Sequence, residues 1–233
     1  MRRIGQTQRP SAGPPSIPGP IPSQFIHTSP GMPHTVVLLA HPTLAHSRVT
    51  GALARSAREA GDRIEVRDLY ARYPDYLIDV AAERAALSDA QLLVWLCPTH
   101  WYGLPPMLRL WQDEVLGFGW AYGPGGTQLQ GRDLWLVTST GGAAESYRSD
   151  GHNRYFFDAF MPPHEQTAAL CGMRFLPPLL LHGAHRVAEA DLAAHAQLFA
   201  ERLRSWPHWP EIESLEPCAP CEVPVDARPP AEA

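Results

Sequence analysis

Hydrophobic positions along the chain fall into short blocks separated by turn residues, and the blocks switch between strand and helix patterns. Residues 35–40 (TVVLLA), 91–97 (QLLVWLC) and 134–140 (LWLVTST) are nearly continuous apolar runs of strand length, the pattern of strands buried on both faces of a parallel sheet. Residues 63–69 (RIEVRDL) alternate instead, which suits a half-buried strand in an outer position. Residues 174–183 (RFLPPLLLHG) predict a fifth strand with an irregular entry. Helix signals lie between these runs. Ser47 can cap a helix that runs to about Ala60, where Gly61 ends it, and residues 81–87 read as a short helix. Pro105 and Pro106 fit the first turn of another helix, with apolar residues at helical spacing through 107–115, and residues 187–206 close the domain as an amphipathic helix. Strand, helix, strand, helix, strand at this spacing predicts a doubly wound α/β domain over residues 34–206.

The ends of the chain lack such patterning. Residues 1–33 are dense in Pro, Gly and Ser with no periodic apolar face, and are expected to be a disordered extension. Residues 207–233 are expected to be a disordered Pro/Glu-rich tail. The two Arg at the start have no apolar region behind them, so no import signal is expected, and Met32 is an alternative start. No segment reaches the roughly 18 uninterrupted apolar residues of a membrane span. The 233 residues, 45% of them hydrophobic, suffice for one good-sized core. A formal charge of −5 gives no overall nucleic-acid surface, yet no acidic residue occurs in 1–58, so an anionic group is best tolerated there. All 19 basic residues are Arg, which excludes a Schiff-base lysine and a P-loop that grips phosphate with Lys. Cys97 and Cys171 in apolar contexts fit a reduced, cytoplasmic protein. Cys218 and Cys221 have C-x-x-C spacing but lie in the tail, outside any βαβ context.

Candidate chemistry gathers where strands end. Between the first strand and helix, His41-Pro42-Thr43-Leu44-Ala45-His46-Ser47 places free backbone N–H groups and a positive helix end together, a phosphate seat to which the hydroxyls of Ser47 and Thr50 and a ring N–H of His41 can add. The third strand ends in Cys97-Pro98-Thr99-His100-Trp101-Tyr102-Gly103, which puts two large aromatics at the carboxyl edge, where open α/β sheets bind ligands. On pattern alone Trp101 and Tyr102 also read as core or interface aromatics. Residues 117–126 form an aromatic and glycine loop longer than a minimal connection. The fourth strand runs into Thr140-Gly141-Gly142, a turn that lets a flat ligand approach the backbone closely.

Taken in order, AHPTLAHS, DLYARYPDYLIDVAAERAAL, PTHWYGLPPMLRLW, GWAYGPGGTQLQG, TSTGG and CG-x-x-FLPP make the chain resemble the flavodoxin-like NAD(P)H:quinone oxidoreductases, and among them the ancillary flavoproteins of glutathione-regulated potassium-efflux systems. The resemblance covers residues 35–206. It implies a flavodoxin-like five-stranded parallel sheet of order 2-1-3-4-5 with helices on both faces, a homodimer, and non-covalent FMN, with FAD the alternative. Its phosphate loop falls on His41, Ser47, Arg48, Val49 and Thr50, where Thr50 replaces the family's Asn. Its flavin-flanking segment falls on Pro98, Thr99, His100, Trp101 and Tyr102, and its glycine turn on Ser139, Thr140, Gly141 and Gly142. The Tyr and His that assist charge transfer in related quinone reductases fall on Tyr147, which matches in spacing, and His152, which is offset by one residue.

The implied activity is two-electron, ping-pong hydride transfer from NAD(P)H through FMN to a quinone-type acceptor. Two other roles stay open. The chain can serve as the regulatory subunit of a glutathione-gated potassium/proton antiporter, peripheral at the inner face of the membrane, or as a nitro- or azoreductase with the same flavin. No metal set is expected among His41, His100 and His152.

Overall fold

The computed structural model describes residues 34–215; the expected extension over 1–33 and the Cys218/Cys221 pair lie outside them. Strands β1 (His34–Leu39), β2 (Ile64–Asp68), β3 (Ala90–Pro98), β4 (Asp133–Ser139) and β5 (Arg174–Leu181) form a parallel sheet in the order β2-β1-β3-β4-β5. Helices α1 (Arg48–Glu59), α2 (Leu69–Arg72), α3 (Val80–Leu87), α4 (Pro106–Val115), α5 (Pro162–Leu170), α6 (Glu189–Ser205) and α7 (Pro210–Ser214) accompany it.

Alternate residues of the central strands face two separate cores, which is why the middles of these strands, Val36–Leu39, Leu92–Cys97 and Leu134–Val137, are apolar throughout. Val36, Leu38, Trp95 and Cys97 pack with Met107, Leu108 and Trp111 of α4. Val37, Leu39, Val94 and Leu96 pack on the other side with Val49 and Leu53 of α1 and Phe199 and Leu203 of α6. The helix-forming logic of α1 is local. Ser47 Oγ accepts from Thr50 N–H at 3.1 Å and Gly61, at φ +141°, follows the last turn. Its buried Val49, Leu53 and Ala57 recur four residues apart, and burying the first two contributes about 1.5–3 kcal/mol each.

Edge strand β5 tolerates Pro177 and Pro178 because one side needs no ladder donors, and its register against β4 shifts between Trp135 and Val137. Two helices carry no strong sequence pattern. The four-residue α2 continues directly from β2, and α5 starts on Pro162 and Pro163 with few apolar positions.

Packing also runs past the boundary expected at Trp206. Trp209 and Ile212 are buried, Trp209 lies edge-on to Trp135 at 4.7 Å, and its Nε1 donates to the Arg202 carbonyl at 2.9 Å. Residues 207–215 thus belong to the domain rather than to a tail, because a Trp side chain of this size supplies the second core with apolar surface. In the loop over 117–126, Trp120 and Tyr122 pack partly on the chain's own core, with Arg84 over the Trp120 ring at 4.8 Å, while Phe118 is exposed.

Candidate functional site

The carboxyl ends of β1, β3 and β4 bring three loops together. At the first, His41 Nδ1 accepts from Thr43 N–H at 3.1 Å, which fixes the neutral ring's proton on Nε2 and leaves that N–H as a donor. Burial lowers the His41 pKa, with His100 acting in the same direction and Asp68 opposing, so His41 stays neutral. Burial also lowers that of His100. Because Ser47 Oγ accepts the Thr50 N–H, its own hydroxyl proton is free to donate. The first N–H groups of α1, those of Arg48 and Val49 among them, have no intrahelical acceptor. The Arg48 guanidinium turns elsewhere. It donates to the Val187 carbonyl and to Glu189, both at 3.1 Å, at the start of α6. Thr50 is buried, with its N–H already bound to Ser47.

At the end of β3, Thr99 is fastened to β4: its N–H donates to the Ser139 carbonyl at 2.8 Å and its hydroxyl meets that of Thr138 at 3.0 Å. His100 and Gly103 then exchange hydrogen bonds in both directions, at 3.0 and 2.9 Å, closing a two-residue turn. Trp101 and Tyr102 occupy its centre at φ 50° and 62°. This is the dihedral pattern of a type I′ turn, ordinarily Asn-Gly, and holding a bulky residue there costs about 1–2 kcal/mol. The Trp101 side chain is 96% exposed. The Tyr102 ring is anchored, stacked on Phe160 at 4.9 Å, with its hydroxyl donating to Asn153 Oδ1 at 3.2 Å.

At the end of β4, Ser139 and Thr140 are buried, and the turn is clamped by three backbone bonds to the end of β5 and the segment after it: Thr140 N to Leu181 O, Gly183 N to Gly142 O and Ala184 N to Thr140 O, at 2.9–3.0 Å. Among the described residues no acceptor faces the N–H of Gly141 or Gly142. A Cβ on Gly142 would meet Tyr147 at 3.4 Å, so a larger residue there would crowd the cleft wall. Tyr147 is itself buried against Phe157, Phe160 and His182, and burial raises its pKa, keeping the hydroxyl protonated.

These parts enclose a cleft of about 300 Å³ lined by Thr99, Trp101, Tyr102, Gly142, Ser146, Tyr147, His152 and Asn153. Six of its residues carry sequence expectations: Thr99, Trp101, Tyr102, Gly142, Tyr147 and the exposed His152. Pro98, His100, Ser139, Thr140 and Gly141 support its walls without lining it, and the loop over 41–47, which follows the adjacent strand β1, does not line it either. Ser146, Asn153 and Phe160 have no sequence signal of their own; Asn153 is found only through the tyrosine it holds.

The free donors suit a ligand with an anionic group and a polar edge of hydrogen-bond acceptors. Ser47, His41 Nε2–H and the start of α1 fit the anion, and the glycine turn's N–H groups fit a ring's polar edge. The sheet order and the open donors together define a parallel α/β protein with its ligand donors at the carboxyl edge of the sheet. A family model described as flavodoxin-like fold matches residues 33–203, and the chain belongs to that family. The chain is 42% identical over 173 residues to the glutathione-regulated potassium-efflux system ancillary protein KefF of Salmonella newport, and 40% identical over 171 residues to that of Citrobacter koseri. Each alignment covers 73% of this chain and 96% of the relative. Among solved structures, general stress protein 14 of Treponema denticola, in complex with FMN, is similar with TM-score 0.70 and 37% identity, covering 74% of this chain and 99% of that one. No helix among the described residues is long and apolar enough to cross a membrane.

Proposed function

We propose that the chain is an FMN-dependent NAD(P)H oxidoreductase, with quinones as the acceptor class, acting as a homodimer. The observation that carries this reading is the pairing of a strained Trp101-Tyr102 turn with the open N–H groups of Gly141 and Gly142 in one cleft. The FMN bound by the T. denticola relative supports FMN over FAD.

Bound FMN supplies two-electron hydride exchange between a nicotinamide and a second substrate. The chain supplies the rest. Ser47, His41 and the N–H groups of Arg48 and Val49 hold the phosphate. Thr99 and the turn after it fix the ring's edge. The N–H groups of Gly141 and Gly142 stabilise negative charge that develops beside them. Tyr147, kept protonated by burial, donates a hydrogen bond from the wall, and exposed His152 stands at the mouth. With one shallow cleft for both substrates, each leaves before the next enters, and parallel double-reciprocal plots are expected.

Purified protein mixed with FMN tests the reading. Expected are uptake of about one FMN per chain, with bound flavin absorbance, and quinone-dependent oxidation of NADH or NADPH. Protein that takes up neither FMN nor FAD overturns it. The names of the Salmonella and Citrobacter relatives favour a second role, as ancillary subunit of a potassium-efflux system. Co-purification with an efflux antiporter from the same cells, with altered potassium efflux when the chain is deleted, tests that role.

A further inference from the structure

Behind the glycine turn lies a chain of hydrogen bonds that the cofactor-contact reading does not use. The Thr140 hydroxyl is 2.8 Å from the Gly142 carbonyl and 2.9 Å from His182 Nδ1. A carbonyl oxygen only accepts, so the single Thr140 hydroxyl proton points at Gly142. Thr140 Oγ1 is then the acceptor towards His182, and His182 Nδ1 must carry a hydrogen. Thr140 is 1% exposed, so no water substitutes for either partner. His182 is gripped from both sides, its ring lying along Tyr147 at 5.1 Å and edge-on to Phe157 at 5.6 Å. The same Gly142 carbonyl also accepts the Gly183 N–H, next to His182 in the chain, at 2.9 Å.

We propose that His182 is a positioning residue for the cofactor-facing turn, donating from Nδ1–H to Thr140 so that the Thr140 hydroxyl locks the Gly142 carbonyl and leaves the N–H groups of Gly141 and Gly142 open to the ligand. The inference rests on the flavin reading of the cleft. It assigns Thr140 a backbone role towards the cofactor, since its side chain is committed behind the turn. It also makes the residue that follows β5 a part of the site, although neither it nor any β5 residue lines the cleft. The ring contact with Tyr147 extends the same support to the cleft's buried hydroxyl.

The test combines the imidazole nitrogen spectrum of the flavin-free protein with FMN titration of the whole chain. In the flavin-free protein His182 is expected as the Nδ1–H tautomer; the Nε2–H tautomer overturns the proposal. His182→Leu and Thr140→Val are each expected to weaken FMN binding about five- to tenfold, the loss of one buried hydrogen bond in a cooperative chain. The double variant should be no weaker than either single one, because both cut the same chain. His182→Asn, whose amide can donate from nearly the place of Nδ1, should restore binding to within about twofold to threefold. Thermal melts without flavin check that each variant folds, and the tautomer measurement needs no variant. Wild-type protein that binds FMN while His182→Leu binds equally well overturns the positioning role alone. Wild-type protein that takes up no flavin overturns the cofactor reading together with it.

Discussion

Two polar clusters in this domain follow opposite rules. Around Glu83, which is fully buried, Arg67, Tyr73 and Trp111 all donate to one carboxylate, with Arg67 Nε at 3.1 Å and Trp111 Nε1 at 2.9 Å. Burial by itself pushes the Glu83 pKa up, but Arg67, Tyr73 and Trp111 outweigh it and hold the carboxyl below its ordinary value. The Tyr73 hydroxyl is pushed up to about 12, by burial and then by its hydrogen bond to Glu83 and that residue's charge. At the carboxyl edge of the sheet the donors stay open, two aromatics sit in left-handed backbone, and a Trp stands in solvent. A closed cluster helps to specify how β2, α3 and α4 meet. An open one is tolerated where water or a ligand completes it, which separates the part of the chain that holds the fold from the part that waits for a partner.

The comparison breaks first at Glu83. Glu83→Ala leaves three buried donors facing each other, and Arg67 keeps only its pairing with half-exposed Glu65. The expected loss is about 3–5 kcal/mol by urea unfolding, with FMN affinity of the folded protein unchanged within about twofold. A loss below about 1 kcal/mol would mean that the cluster is ornamental to stability. A large loss of FMN affinity would mean that the two regions are not separate.

The fold was legible because its strands are buried on both faces. Runs such as TVVLLA and LWLVTST leave no other economical placement, and turn residues mark their ends. The cleft was legible as loops at strand ends, which topology alone brings together. What escaped has physical reasons. Left-handed backbone at Trp101 and Tyr102 carries no Gly or Asn to announce it, since the strain is imposed by the His100–Gly103 pairing. Helix α5 has too little apolar periodicity to stand out from its flanks. Trp209 sits between two prolines in a stretch whose composition reads as tail, and only its packing on Trp135, buried in the second core, gives it a place. His182 looked like the polar end of an edge strand, because a hydrogen bond across 42 positions of sequence leaves no local pattern.

A smaller effect separates interior histidine from edge histidine. His164 is buried against Trp95, at 6.1 Å between ring centres. Burial, and then the Arg109 charge, lowers its pKa from 6.5 to about 4. The unfolded chain therefore takes up this proton as pH falls through 6.5, while the folded chain refuses it until about 4. Stability from this site is complete above pH 6.5 and declines as pH falls towards 4, by about 3 kcal/mol in all. His164→Phe keeps an aromatic ring on Trp95 and removes the titration. The difference in stability between wild type and variant should shift by that amount between pH 7 and pH 4. A constant difference across this range would show that the histidine gains a proton without cost in the folded state.

The smallest stability effect, and the cleanest probe of the open edge, is Trp101→Gly. Glycine adopts φ 50° freely, so the strain of about 1–2 kcal/mol at this position disappears. Against this, glycine makes the unfolded chain more flexible, which offsets roughly 0.5–1 kcal/mol. Little burial is lost, because the side chain is 96% exposed. The net expectation is a protein about 0.5 kcal/mol more stable. If Trp101 is held in strain to meet a flat ring, the same substitution weakens FMN binding by about tenfold or more, as removal of an aromatic contact does. Stability that rises while FMN affinity falls identifies the strain as kept for the ligand. Stability that rises with FMN affinity unchanged would assign the exposed indole to a contact other than the flavin, and the open edge would then be completed by Tyr102 and the glycine turn alone.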